Sequence, residues 1–219
     1  MPNAKYSLLN TKNMKIKICG MGSPENILEV AALQPDYLGF IFFEKSERNF
    51  TGSIPELSDS IIKTGVFVNA TLEFVLEKIN KYNFGAVQLH GKESPEYCQK
   101  IKKLEVEVFK VFSIKNDFDF ETLKPYESSV DYFLFDTKGK HPGGNGFVFD
   151  WSVLKKYNSK IPFILSGGIG LNEAEAVKEI MKSDLPVYAL DLNSKFEIQP
   201  ALKDTVSLKE FLNKIEPVV

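Results

Sequence analysis

Short apolar runs alternate with amphipathic stretches along most of the chain, and this alternation predicts repeated strand–helix units. Runs rich in Val, Ile, Phe and Tyr lie near Lys15–Cys19, Tyr37–Phe42, Lys63–Val68, Ala86–Leu89, Val106–Phe112, Tyr132–Phe135, Pro162–Leu165 and Val187–Leu190. Several lack a polar residue at every second position, as expected of parallel strands buried on both faces. The stretches between them carry helix signals. Ser23-Pro24-Glu25 and Ser94-Pro95-Glu96 each offer a cap, a first-turn proline and a first-turn acid. Thr71 is placed to cap the pattern Leu72, Val75, Leu76 and Ile79, and Asn172 to cap Ala174, Val177 and Ile180. The segment Ser207 to Lys214 reads as the last helix.

About eight such units point to parallel βαβ connections and, in one compact unit, to a closed (β/α)8 TIM barrel; an open doubly wound sheet usually uses fewer strands. No Pro-, Gly- or Ser-rich linker and no low-complexity segment divides the chain. A single barrel domain is therefore expected over residues 14–219, preceded by a polar extension of residues 1–13.

Composition narrows the function more than the fold. The 219 residues are 43% apolar and 26% charged, enough for one ordinary core. The 27 basic and 29 acidic residues give a net charge of −2, interspersed in sign along the chain. This argues against a nucleic-acid surface, which needs a one-signed basic patch, and against an anionic-membrane anchor. Residues 1–13 lack the apolar core of a secretory signal, and the apolar stretch Tyr37–Phe43 is far too short to span a membrane. Two cysteines, Cys19 and Cys98, make no disulfide framework for a chain of this size and fit a reducing, cytoplasmic setting.

In a TIM barrel the active site lies at the C-terminal ends of the strands, so eight short windows hold the candidates. They contain Cys19-Gly20-Met21, Glu44 to Arg48, Asn69, Gln88 to Gly91, Ser113, Asp136-Thr137-Lys138, Ser166-Gly167-Gly168 and Asp191 to Ser194. Two glycine loops, Pro142–Gly146 and Ser166–Gly170, follow the sixth and seventh runs. Either pair alone would be a tight turn. Together with Asn193 and Ser194 they place Gly167 and Gly168 where backbone N–H groups can converge on a phosphate. Neither loop matches a P-loop or dinucleotide fingerprint.

Other candidates stay open on their residues alone. Cys19 ends an apolar strand and is either an inert core thiol or, beside a cation or helix N-terminus, a base. Cys98 sits in a helix and has no role. Asp136 either caps a loop or, in dry surroundings, keeps a proton to donate. Arg48 is a solvated loop cation or a bidentate partner for a carboxylate. His90 is an acid, a base or simply a satisfied histidine, His141 a solvated loop residue. Phe43, Phe50 and Phe147 read as exposed apolar residues, lids or contacts.

The windows together resemble the phosphoribosylanthranilate isomerase family. The resemblance runs through Lys17-Ile18-Cys19-Gly20, Gly39-Phe40-Ile41-Phe42 with Ser46 and Arg48, Val66-Phe67-Val68-Asn69 and Gln88-Leu89-His90-Gly91. It continues through Phe135-Asp136-Thr137, Gly143-Gly144-Asn145-Gly146, Leu165 to Ile169, and Asp191-Leu192-Asn193-Ser194 with Glu197 and Lys203-Asp204, in the family's order from Lys15 to about Phe211. It implies an Amadori rearrangement of N-(5-phosphoribosyl)anthranilate to 1-(2-carboxyphenylamino)-1-deoxyribulose 5-phosphate in tryptophan biosynthesis. By the resemblance Asp136 is the acid, Cys19 the base and Arg48 the partner of the anthranilate carboxylate. Gly143, Gly144, Gly167, Gly168, Asn193 and Ser194 would surround the phosphate, with His90 and Asp191 also binding substrate. No metal or organic cofactor is implied; the partner is a small phosphorylated molecule, and the chain would be a monomer or homodimer.

The sequence departs from the family at Glu47, Asn145, Ala201 and Lys195, the last a larger, cationic residue beside the anion site. Three rivals differ from the resemblance in specific residues. A barrel isomerase of the histidine pathway uses a carboxylate where Cys19 stands, and indole-glycerol phosphate synthase needs a lysine acid and a longer N-terminal segment. A phosphosugar-binding barrel without turnover would lack the acid–base pair.

Overall fold

A computed structural model describes residues 14–115, 117–137 and 151–215. Gly143, Gly144, Asn145, His141, Phe147 and the extension 1–13 lie outside the described residues. Eight parallel strands close into a barrel in chain order: β1 (Lys15–Cys19), β2 (Tyr37–Phe42), β3 (Ile62–Phe67), β4 (Ala86–Leu89), β5 (Glu107–Ile114), β6 (Tyr132–Thr137), β7 (Phe163–Ser166) and β8 (Val187–Leu192). Closure comes from β1 pairing with β8, Lys17 opposite Asp191. The barrel expected from the periodicity forms, with strand ends moved by one or two residues.

Alternation along each strand sorts the side chains. Tyr37, Ala86, Phe109, Val111, Leu134, Ile164 and Ala189 pack inside the barrel, while Ile18, Leu38, Phe40, Phe133, Leu165 and Leu190 face outward into a second apolar layer. The interior is plugged at the N-terminal end of the strands by aromatic rings. Tyr132 stacks on Tyr188 at 3.9 Å between centroids, and the Tyr37 ring meets Phe109 edge-on at 5.5 Å. The Tyr37 hydroxyl lies 2.8 Å from Glu107 Oε2 and 2.7 Å from the Tyr188 hydroxyl, so this buried polar atom is satisfied. The open end is the C-terminal one.

The outer layer departs from eight equal helices. Among the described residues five α-helices form: α1 (Pro24–Ala31), α2 (Leu72–Tyr82), α3 (Pro95–Lys102), α4 (Ala174–Met181) and α5 (Thr205–Ile215). Ser23, Thr71 and Ser94 cap the first three as expected, each oxygen accepting a backbone N–H three residues on. Asn172 is not the cap of α4. A 3-10 turn at Leu171–Glu173 intervenes, and the Glu173 carboxylate accepts the Gly170 N–H at 2.8 Å. The crossovers after β5 and β6 carry 3-10 helices, Phe120–Tyr126 and Trp151–Lys156, and a short antiparallel pair, β9 (Glu197–Gln199) with β10 (Leu202–Lys203), precedes α5. Among the described residues no helix is long and apolar enough to cross a membrane.

The connection from β2 to β3 contains no helix. Its extended chain instead folds back so that the Phe50 N–H donates to the Ile41 carbonyl at 2.7 Å. The Phe50 ring, 4% exposed, packs on Phe40 at 5.0 Å and Phe42 at 6.0 Å, in a cluster that includes Tyr82 and Phe84. Phe50 is therefore core and not an exposed lid: it covers the sheet face that a helix would otherwise cover. Phe50→Ala should lower unfolding free energy by about 3 kcal/mol or more in urea titrations, and a loss below about 1 kcal/mol would refute that covering role.

Candidate active site

The open end of the barrel holds a cavity of about 310 Å³ whose wall includes Cys19, Gln88, His90, Asp136, Ser166, Gly167, Gly168, Asp191, Asn193 and Ser194. Nearly every described candidate from the sequence thus meets in one space. Cys19 ends β1, 3% exposed, and its sulfur fits there because β2 offers Gly39: a Cβ at Gly39 would stand 2.7 Å from Cys19 Sγ. Asp136 projects from β6 level with Ser166 on β7. Gly167 and Gly168 both have left-handed backbone, φ 91° and 68°, which glycine adopts without strain, and Gly168 faces open space. Their turn leaves room for a ligand to approach the backbone.

Beneath Cys19 lies an ion pair that the sequence did not single out. Lys17, on the same interior face of β1, is fully buried and donates to Asp191 Oδ1 at 2.6 Å. Ser166 Oγ donates to the other carboxylate oxygen at 3.0 Å. Asp191 thus presents a wall of the cavity while anchored from below. Burial alone would lower the Lys17 pKa, but Asp191 and Cys19 beside it hold the ammonium above its ordinary value. Burial pushes the Cys19 thiol up, and the neighbouring Lys17 ammonium pulls the other way, as does Lys203.

His90 stands across the cavity, with Nε2 3.9 Å from Asp136 Oδ2 and Nδ1 3.2 Å from Gln88 Nε2. Its side chain is 37% exposed, yet the surrounding wall still desolvates it and lowers its pKa, with Asp136 and Asp191 opposing. Gln88 Oε1 is buried without a hydrogen-bond partner among the described residues. The loop that carries His90 is held by another buried pair: Lys110 Nζ lies 3.2 Å from Glu93 Oε2 and donates to the Gly91 carbonyl at 2.8 Å. The Glu93 carboxylate accepts the backbone N–H groups of Asn69 and Gly91, tying the loops after β3 and β4 together. A lysine inside an apolar strand, Lys17 in β1 and Lys110 in β5, was the available signal for both pairs.

Arg48 is placed differently from the rest. It lies beside the cavity rather than among its lining residues, and Glu197 on β9 accepts from its Nε at 2.9 Å and from its Nη2. That hydrogen bond holds the guanidinium above its already high ordinary pKa. Glu197 also accepts from Lys203 Nζ at 2.7 Å, and Lys203 in turn donates to Asn193 Oδ1 at 2.7 Å. Burial would raise the Glu197 pKa, but the two cations on it bring the carboxyl below its usual value. Lys195, exposed on the 3-10 turn Ser194–Phe196, joins Gly167, Gly168 and Ser194 in the cavity wall. Among the described residues no group of three His, Cys, Asp or Glu side chains is placed to hold a metal ion.

Comparison with known proteins puts this arrangement in context. A family model described as N-(5'-phosphoribosyl)anthranilate (PRA) isomerase matches residues 16–214. The N-(5'-phosphoribosyl)anthranilate isomerase of Parabacteroides distasonis is 47% identical over 210 residues, covering 92% of this chain and 93% of that protein. Among solved structures, the phosphoribosyl anthranilate isomerase of Thermotoga maritima superimposes with a TM-score of 0.81 at 30% identity, covering 94% of this chain and 100% of that one. Another phosphoribosyl anthranilate isomerase, in complex with reduced 1-(o-carboxyphenylamino)-1-deoxyribulose 5-phosphate, gives a TM-score of 0.78 at 29% identity over 94% of this chain and 100% of that one.

Proposed function

The chain belongs to the N-(5'-phosphoribosyl)anthranilate isomerase family, and on that premise we propose that Asp136 and Cys19 are the acid and base of its Amadori rearrangement. The protein is an isomerase of tryptophan biosynthesis. Asp136 gives its proton to the furanose ring oxygen, the bond from that oxygen to C1 breaks, and the anthranilate nitrogen forms a Schiff base at C1. Cys19 as thiolate takes the proton from C2, and the electron pair left behind makes the enolamine, which tautomerises to the C2 ketone. The observation that carries this reading is the meeting of Cys19 and Asp136, from strands β1 and β6, on one cavity.

The rest of the wall supports the same substrate. Gly167, Gly168 and Ser194 form the phosphate end, where left-handed turns direct backbone donors to an anion. Lys195 adds a cation there, Asn193 is braced by Lys203, and Asp191 and His90 meet the sugar. Arg48 receives the anthranilate carboxylate on the guanidinium edge that Glu197 leaves uncovered. Gly143 and Gly144 complete the phosphate end by the family resemblance. A cytoplasmic setting suits the two free cysteines.

The test is a fluorescence-decay assay with freshly made phosphoribosylanthranilate. Cys19→Ser and Asp136→Asn should each lose about 100-fold or more in kcat while remaining folded; near-normal turnover by either removes that residue from the chemistry. The wild-type pH profile carries a second check. A base whose thiol is pushed above its ordinary range by burial ionises on the alkaline side, so kcat/KM should bend there, and a profile with no limb in the alkaline range contradicts a thiol base. Lys195→Glu places a negative charge at the phosphate end and should raise KM about tenfold, roughly 1.4 kcal/mol, in low salt; an unchanged KM takes Lys195 out of phosphate binding.

A further inference from the structure

The proposed chemistry makes no use of Lys17, a cation with 0% exposure inside the barrel. Strand alternation puts residues 15, 17 and 19 of β1 on one face, and register sets Lys17 opposite Asp191 on β8. The Lys17 ammonium therefore bonds Asp191 Oδ1 at 2.6 Å and has Cys19 as its neighbour on the same face of β1. With Cys19 as thiol, the three groups sum to zero charge; as thiolate, they carry one negative charge in a buried site. Lys17 favours the charged sulfur and Asp191 opposes it.

Among the described residues the remaining charges around Cys19 are few. From the loop after β2 comes Arg48 and from β10 Lys203, both already bonded to Glu197 on β9. β2 itself offers uncharged Gly39 beside the sulfur. Across the cavity stand Asp136 on β6 and His90 on β4, with Lys195 on the turn after β8. Of these cations, Lys17 is the one on the same strand face as Cys19, two residues before it.

We propose that Lys17 is a positioning residue for Cys19: its buried ammonium steadies negative charge on the sulfur, and Asp191, by holding that ammonium, limits how much charge it can offset. The proposal rests on the acid–base reading above for the use made of Cys19, and it deepens that reading by naming what prepares the base. A purely structural ion pair would hold strands β1 and β8 together; a positioning role requires in addition that the pH dependence of turnover follow the ionisation of Cys19.

Opposite sign is what the experiment reads. In protein carrying Cys98→Ser, the ultraviolet absorbance of the Cys19 thiolate is followed against pH, with Cys19→Ser/Cys98→Ser subtracted to remove tyrosine ionisation. Asp191→Asn should lower the midpoint and Lys17→Met should raise it, each by roughly 1–3 pH units, and Lys17→Met/Asp191→Asn should return it toward wild type. Midpoints that stay put, or that move in the same direction for both single variants, overturn the proposal. If Lys17→Met does not fold, the double variant decides: it must titrate above Asp191→Asn alone, and equal midpoints overturn the proposal. The alkaline limb of kcat/KM should follow the thiol midpoint in each folded variant. Midpoints that move without the limb uphold Lys17 as the partner of Cys19 and sink Cys19 as base, so the two failures are distinguishable.

Discussion

Strand β1 closes the barrel against β8, and the register of that closure brings Lys17 and Asp191 face to face inside it. Much of the open end depends on this contact. Asp191 is held from below by the ammonium and from the side by Ser166 on β7, so strands β7, β8 and β1 share one polar junction. A lone cation or carboxylate at this depth would be driven to neutrality. As a hydrogen-bonded pair, the two can stay charged beneath Cys19. An interaction that closes the barrel thus also puts a charged pair beside the Cys19 sulfur.

The rim is braced by two further polar clusters built on the same rule. Lys110 and Glu93 tie the loops after β3 and β4 through the backbone of Asn69 and Gly91, which fixes the base of His90. Glu197 gathers Arg48 and Lys203, joining the loop after β2 to the β9–β10 pair and, through Lys203, to Asn193. Each cluster places a carboxylate where it accepts from several donors, so loops without regular structure still present their side chains in fixed places. The aromatic plug at the opposite end leaves the polar groups concentrated at one mouth.

Apolar packing makes up for the irregular outer layer. With no helix after β2, Phe50 and its neighbours around Phe42 and Phe84 cover the sheet, and the chain from β2 reaches β3 along that surface. The same loop carries Arg48, whose place beside the cavity therefore rests on Phe50 being buried a short distance along the chain.

The barrel and most of the site were legible in the sequence because both depend on local pattern. Apolar runs of strand length are set by burial on two faces, and knowing where each run ends located Cys19, Asp136, Gly167, Gly168, Asp191 and Ser194. Side-chain oxygens at Ser23, Thr71 and Ser94 marked helix starts for an equally local reason. Tertiary structure decided what depends on partners distant in sequence. Lys17 and Asp191 are 174 residues apart, Arg48 and Glu197 149 apart; no spacing rule joins them. Phe50 read as exposed because nothing nearby in the sequence reveals the ring it packs against. The sequence by itself determined which residues stand at the mouth of the barrel. Only closure decided which of their charges are neutralised, because a charge in a buried site is defined by the partners that chain folding brings to it.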